Sequence, residues 1–166
     1  RGTGLRIGAD KWYKNNSKDP NSLSNNQVFS IYRDRKGRMW LGTFGGGLNL
    51  AVKTKDGYQF RHFLQDNYGE KRIRVIEEDK NGRMWVGTNN GIYIFHPDSL
   101  IASPENYIIY NHVNGTFPNN EIRCLMNDHE GNMWIGTAGA GFAVCHPEGD
   151  YQHLTFNCYD IKDGLS

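Results

Sequence analysis

Apolar residues fall in short runs separated by clusters of Gly, Asn, Asp and Ser. From Gln27 to Arg33 the chain is rich in β-branched and aromatic residues, which suits an extended strand. Asp34-Arg35-Lys36-Gly37 then reads as a hairpin loop. The Asp side chain can accept hydrogen bonds from its own turn, and the Gly can take the left-handed conformation that closes it. Arg38 to Thr43 predicts a second strand, Phe44-Gly45-Gly46-Gly47 a second turn, Leu48 to Val52 a third strand and Tyr58 to Phe63 a fourth.

This pattern recurs. Val28 to Ile31, then Asp34, Gly37, Trp40, Gly42 and Thr43, match Ile73 to Ile76, then Asp79, Gly82, Trp85, Gly87 and Thr88. They match again at Ile122 to Leu125, then Asp128, Gly131, Trp134, Gly136 and Thr137. The three tryptophans stand 45 and 49 positions apart. Downstream, Gly47-Leu48 aligns with Gly91-Ile92 and Gly141-Phe142, and aromatic pairs follow at Phe60/Phe63, Tyr107/Tyr110 and Phe156/Tyr159. A period of about 40–50 residues with four strands is the signature of a β-propeller blade. No strand–helix alternation argues for an α/β fold.

The expectation is therefore an all-β chain of four-stranded antiparallel propeller blades, three complete and one partial. Residues 1–19 read as the outer half of a blade, because Gly4-Leu5 aligns with Gly47-Leu48. Residues 20–64, 65–112 and 113–160 read as complete blades, and 161–166 as the start of a linker, because Gly164-Leu165-Ser166 aligns with the approach to Leu23-Ser24. Propellers close with about four to eight blades, so three and a half predict an incomplete ring with an unpaired sheet face at each end. The recurrent Trp residues are expected to wedge between neighbouring blades.

The shared pattern V-x-x-I-x-x-D-x-x-G-x-x-W-x-G-T-x-x-G-G-L resembles the two-component regulator propeller repeat, as does the linker Asp19-Pro20-Asn21-Ser22-Leu23-Ser24-Asn25-Asn26. The resemblance implies the extracytoplasmic sensor region of a hybrid two-component histidine kinase from Bacteroides-type bacteria. It implies a periplasmic location, oligosaccharide ligands, control of polysaccharide-utilisation transcription, further blades and a homodimeric parent. No ligand-contacting residue transfers with the repeat motif, whose positions are structural.

Composition narrows the alternatives. Nineteen basic and eighteen acidic residues give a formal net charge of +1, which argues against nucleic acid as the main partner. Twenty glycines and 13% aromatic residues suit turns and strands rather than disorder. No run approaches a membrane span, and Arg1 to Asp10 lacks the apolar stretch of a signal peptide.

The chain itself is expected not to be an enzyme. The motif is one residue longer than the sialidase D-x-G-x-x-W box, and of Arg33, Arg61, Arg74 and Arg123, three recur on first strands or their ends. The alternatives are a glycan-active propeller enzyme, sialidase- or lyase-like, or a protein-interaction scaffold. His62, His96, His112, His129, His146 and His153 show no metal-ligand spacing, and no metal or cofactor is expected. His96-Pro97 and His146-Pro147 read as terminators of third strands. Cys145 and Cys158 lie in one blade and leave a disulfide open, whereas Cys124 reads as a small core residue.

The candidate ligand face combines the turns between second and third strands with the blade-to-blade linkers. Its candidate residues are Phe44, Asn25, Asn26, Asn89, Asn90, Phe117, Asn119 and Asn120. Amides match sugar hydroxyls, and aromatic rings can stack on sugar faces. Solvated turns are the competing reading for each.

Overall fold

The computed structural model describes residues 3–8, 11–160, 162 and 164. Arg1 and Gly2 of the opening match, and most of the expected linker start at 161–166, lie outside the described residues. The chain divides into two compact units, 1–74 and 75–166.

In the first unit, β1 (Leu5–Ile7) pairs antiparallel with β2 (Lys11–Tyr13). The strands β3 (Val28–Arg33), β4 (Met39–Thr43), β5 (Leu48–Thr54) and β6 (Gly57–Phe63) form an antiparallel meander in chain order. The segment preceding β3 crosses the end of this sheet. Leu23 is fully buried with Leu5, Leu41 and Phe60. Ser24 N–H donates to Asn49 Oδ1 (3.0 Å), while Asn49 Nδ2 donates to Ser24 Oγ (2.6 Å).

The next sheet runs β7 (Ile73–Glu78), β8 (Met84–Thr88), β9 (Gly91–Phe95) and β10 (Ile108–Tyr110), its first strand straddling the division between units. The second unit also holds β11 (Ile122–Asn127), β12 (Met133–Thr137), β13 (Phe142–Cys145) and β14 (Asn157–Tyr159). Here Trp85, Ile92 and Ile94 share one core with Ile122, Leu125, Met133 and Ile135.

Each residue of the repeated motif has a physical duty. Asp34 accepts the Trp40 indole N–H (3.0 Å) and the backbone N–H groups of Lys36 and Arg38. Asp79 and Asp128 do the same for Trp85 (2.8 Å) and Trp134 (2.9 Å), each with two backbone N–H groups of its own loop. The loop glycine takes φ +79° at Gly37, +78° at Gly82 and +84° at Gly131, a conformation costly for any side chain. The glycine after Trp makes room for the strand that follows. A Cβ on Gly87 would sit 2.7 Å from Val75 Cγ1 and 2.8 Å from Ile122 Cγ2. The Thr hydroxyls close the next turn, donating to Gly47 O, Gly91 O and Gly141 O at 2.8–3.0 Å.

Helix α1 (Pro97–Ala102) departs from the all-strand expectation and sits between β9 and β10. β9 ends at Phe95 and β13 at Cys145, where the His-Pro pairs predict termination. His96 does more than stop a strand. Its Nδ1 accepts the Asp98 N–H (3.2 Å) and caps α1, with Pro97 in the first turn. A single 3₁₀ turn, Tyr151–His153, lies between β13 and β14. Its Tyr151 hydroxyl donates to Asp79 Oδ2 (2.5 Å) and accepts from Asn81 Nδ2 (3.0 Å), tying one sheet of the second unit to the hairpin of the other. Burial, and then that hydrogen bond to Asp79, push the Tyr151 hydroxyl's pKa up.

Two expectations are corrected. Trp40 and Trp85 are fully buried, but Trp134 is 38% exposed. Trp85 is packed by Phe156 and the β11 side chains, whereas no following sheet covers Trp134 among the described residues. It stacks instead on Phe142 (5.6 Å). Cys124 is exposed for a related reason, lying on a β11 face with no apolar partner layer among the described residues. All three cysteines are free, so the disulfide left open between Cys145 and Cys158 does not form. In register Cys158 faces Ala143, not Cys145. Burial and the nearby Asp79 charge push the Cys145 thiol up to about 12.

Two outcomes are expected. Trp85→Ala should cost about 3–5 kcal/mol in urea unfolding, and Trp134→Ala clearly less, since its ring already meets solvent. The second concerns pH. Burial opposes ionisation of Asp34, but the Trp40 and Arg38 hydrogen bonds outweigh it and hold its carboxyl below the usual range. Asp128 is held well below that range by Trp134, then by Asn132. The folded chain therefore binds these protons less readily than the unfolded chain. The linked stability is present above about pH 4 and is lost as pH falls below it. Thermal melts from pH 7 to pH 3 should show this loss, and Asp34→Asn should lower Tm at pH 7 while flattening the acid limb.

Candidate functional site

The linkers approach the turns between second and third strands through a recurring backbone hydrogen bond. Gly4 N–H donates to Asn26 O (3.1 Å), Gly47 N–H to Lys71 O (3.0 Å) and Gly91 N–H to Asn120 O (2.7 Å). Turn and linker thus meet, as the sequence predicts for a shared face.

Most of the expected amides spend hydrogen bonds on shaping this face. Asn25 Oδ1 accepts Gln27 N–H (2.8 Å), and Asn26 Oδ1 accepts Asn15 N–H (2.7 Å). Asn90 N–H donates to Thr88 Oγ1 (2.9 Å), and Asn90 Nδ2 to the Tyr93 hydroxyl (2.8 Å). Asn119 Nδ2 donates to Ala138 O (3.0 Å), and Asn119 Oδ1 accepts Glu121 N–H (2.7 Å). Asn120 Oδ1 accepts His112 N–H (2.6 Å). Asn89 is half-buried in the turn between β8 and β9.

Phe117 is a correction. It is 2% exposed and packs edge-on against Phe156 (5.1 Å), so its ring belongs to the core and offers no face to a sugar. Phe117 nonetheless borders a cleft of about 550 Å³ with His112, Thr116, Phe156, Tyr159 and Asp160.

Phe44 is placed differently. An isolated antiparallel bridge pairs it with Arg72 at the entry to β7. Its ring stacks on Phe29 (centroids 4.9 Å, interplanar angle 12°). The guanidinium of Arg72 lies 4.9 Å from the Phe44 centroid, and that of Arg74 lies 4.7 Å from it. Arg72 also lies 4.0 Å from the centroid of Tyr68, whose side chain is largely exposed. The loop carrying Tyr68 is held by the buried Glu70 carboxylate, which accepts the backbone N–H groups of Asp66 and Asn67.

The structure therefore gathers Phe44 with three residues that the repeat comparison passes over: Phe29, Tyr68 and Arg72. A signal for one of them was present. Arg72 occupies the register held by Gln27 and Glu121 in the other repeats, a position that varies while its neighbours Val28, Ile73 and Ile122 stay apolar.

Comparison with known proteins agrees with the fold. Residues 22–45, 67–90 and 116–139 match the family described as "Two component regulator propeller". The extracellular domain of BT3049 from B. thetaiotaomicron, assigned as a hybrid two component system, superposes with TM-score 0.67 at 28% identity, covering 96% of this chain and 20% of that one. The extracellular domain of BT4673 from the same organism, also assigned as a hybrid system, gives TM-score 0.68 at 26% identity, covering 93% and 21%. A second BT4673 structure, at 22% identity, repeats the fold with TM-score 0.72. This chain thus spans about a fifth of the length of these neighbours. A search of curated proteins finds no match. Among the described residues no helix is long and apolar enough to cross a membrane.

Asn119→Ala and Asn26→Ala should each lower stability by about 1 kcal/mol, the usual worth of a hydrogen bond that a folded chain uses. Urea unfolding checks this. A change well below that value would leave these amides available to a ligand rather than committed to the linkers.

Proposed function

We propose that this chain, three segments of which match the two component regulator propeller family, forms part of the ligand-sensing propeller of a periplasmic sensor in a hybrid two-component system. Its ligand is an oligosaccharide, and its output is control of polysaccharide-utilisation transcription. The observation that carries this reading is the likeness, over nearly the whole chain, to extracellular domains of hybrid two-component systems.

Recognition, with no catalysis in this segment, is the role. The kinase and output lie elsewhere in the parent polypeptide. Further blades of the same propeller cover the Trp134 face, whose exposure contrasts with fully buried Trp40 and Trp85. They also cover Ile31, 54% exposed on β3 where the equivalent Ile76 is 5% exposed. The parent acts as a homodimer. Ligand binding biases the kinase by favouring one arrangement of the two receptor chains, which requires different affinities for the two states.

The test is calorimetric titration of the native polypeptide carrying this chain against a panel of plant and host oligosaccharides. Saturable binding without turnover of the sugar is expected. Hydrolysis or elimination of the sugar would make the protein a glycan-active enzyme. Indifference to every sugar would overturn the sensing role and favour a scaffold.

A further inference from the structure

The residue after the loop glycine serves the motif aspartate in two of the three complete repeats. Arg38 Nε pairs with Asp34 Oδ2 at 2.6 Å, and Asn132 Nδ2 donates to Asp128 Oδ2 at 2.8 Å. The second complete repeat keeps an arginine at this register, Arg83. There the Tyr151 hydroxyl has taken the carboxylate oxygen, donating to Asp79 Oδ2. Arg83 lies instead on the Tyr151 ring, its guanidinium 4.7 Å from the centroid. It is half-buried and makes no ion pair among the described residues. A charge partly withdrawn from water without a counter-ion is unfavourable. A guanidinium held on a ring gains cation–π attraction and keeps its in-plane N–H donors for a further partner.

Arg83 borders two clefts of the second unit, of about 400 and about 330 Å³, and shares both with His96. They lie at the strand ends opposite the linker turns, beside the β7–β8 hairpin and the β9–β10 connection. His96 Nδ1 accepts the Asp98 N–H, so the ring proton sits on Nε2, which has no partner among the described residues. Lys80 borders the larger cleft and donates one of its three N–H groups to His146 Nε2 (2.9 Å). Two carboxylates border the clefts, and neither pairs with Arg83. Glu105 Oε2 accepts the Ser103 hydroxyl (2.7 Å), and Glu148 lies 3.8 Å from His146 Nε2. Donors from Arg83 and His96 thus border the same two clefts, with no protein acceptor on either among the described residues.

We infer that Arg83 and His96, with Lys80 at the rim, form a binding site for the anionic group of an acidic oligosaccharide, a uronate carboxylate or a sulfate ester. This rests on the sensing role proposed above and narrows its ligand class. Either group presents acceptor oxygens to the guanidinium fork, and the His96 Nε2–H donates beside it. The two clefts have the volume of small-molecule sites. Ser99, Asn106 and Gln152 on the smaller one suit the hydroxyls of an adjoining sugar unit. Tyr151 is a positioning residue: by occupying Asp79 Oδ2 it keeps Arg83 at the clefts.

The experiment titrates the native polypeptide carrying this chain with a tetragalacturonate, a sulfated galactan tetrasaccharide, a neutral cellotetraose and sodium sulfate, at low and at high salt. Binding of one acidic tetrasaccharide, weakened by salt, with no binding of cellotetraose is expected. The preferred acidic probe tells uronate from sulfate ester. Arg83→Gln should weaken that binding by about tenfold to a hundredfold. Tyr151→Phe keeps the ring and removes the hydroxyl. Asp79 Oδ2 then becomes open to Arg83, in the manner of Asp34 and Arg38, and binding should fall severalfold although no donor to the ligand has been deleted. Arg123→Gln, which removes an arginine paired with Glu121, should leave binding unchanged.

Urea unfolding of each variant separates loss of binding from loss of fold. Should Arg83→Gln not fold, Arg83→Lys serves in its place: it keeps the charge, removes the planar fork, and should weaken binding severalfold. Acidic-sugar binding that is undiminished in a folded Arg83 variant would overturn the site. Undiminished binding in Tyr151→Phe alone would overturn the positioning role of Tyr151. Binding of cellotetraose as tight as that of the acidic sugars would overturn the acidic-ligand inference and leave the sensing role standing. Sodium sulfate binding as tightly as the sugars would overturn the saccharide part and leave a site for bare anions. No binding of any saccharide in this or the wider panel would overturn the sensing role itself.

Discussion

The hydrogen bond from a Trp indole N–H to an Asp carboxylate six residues earlier organises everything else in this chain. It occurs at Trp40–Asp34, Trp85–Asp79 and Trp134–Asp128 with lengths of 2.8–3.0 Å. Each carboxylate also satisfies two backbone N–H groups of its own hairpin. The loop is thereby locked to the side chain that packs the sheet. Asp34 and Asp79 are buried along with their tryptophans, and burial makes the satisfied carboxylate essential: an unmatched one there would be far costlier than the bond is favourable. Once the indole is oriented, the glycine two residues later lets the next first strand approach, and the threonine after it closes the following turn.

This arrangement divides the repeat into positions that packing dictates and positions that it leaves alone. Val28, Ile73 and Ile122 are held apolar because they meet the glycine of the preceding sheet or face the core. The residues on either side of them, and the first residue of the turn after Thr, escape that demand. Gln27, Arg72 and Glu121 share one register, and Phe44, Asn89 and Ala138 another. Variation at these places changes chemistry without disturbing the fold, which is why a repeat protein can carry recognition there. The linker amides are different. Asn25, Asn26, Asn119 and Asn120 look like sugar ligands by type, yet each has an oxygen committed to a backbone N–H.

The strands, the hairpins and the Asp–Trp motif were legible because they depend on contacts within one repeat, and the repeat is written three times. What was not legible depends on what lies beside a repeat. Trp134 stands in the same repeat motif as Trp85 but lacks a covering layer among the described residues, so one motif yields two environments. Cys124 follows the same logic. Phe117 reads as a linker aromatic, but Phe156 and its neighbours enclose it in the second unit's core. Helix α1 escaped notice because six residues are too few for a helical period, although His96-Pro97-Asp98 already spells a cap and a first turn. Tyr151 was invisible for another reason. Its partner Asp79 lies 72 residues earlier, and nothing in the intervening pattern announces the contact.

Charge shows the limit of composition most clearly. A net charge of +1 excludes a broad positive field, and it is tempting to extend that to every anionic ligand. The extension fails because the balance is struck at the level of the chain and not at each turn. Glu121 cancels Arg123 within one strand entry, whereas Arg72 adds to Arg74 at the equivalent entry. The rings of Phe44 and Tyr68 hold the Arg72 guanidinium at that point. At a separation of a few ångströms such a local field is screened far less than one spread over the surface.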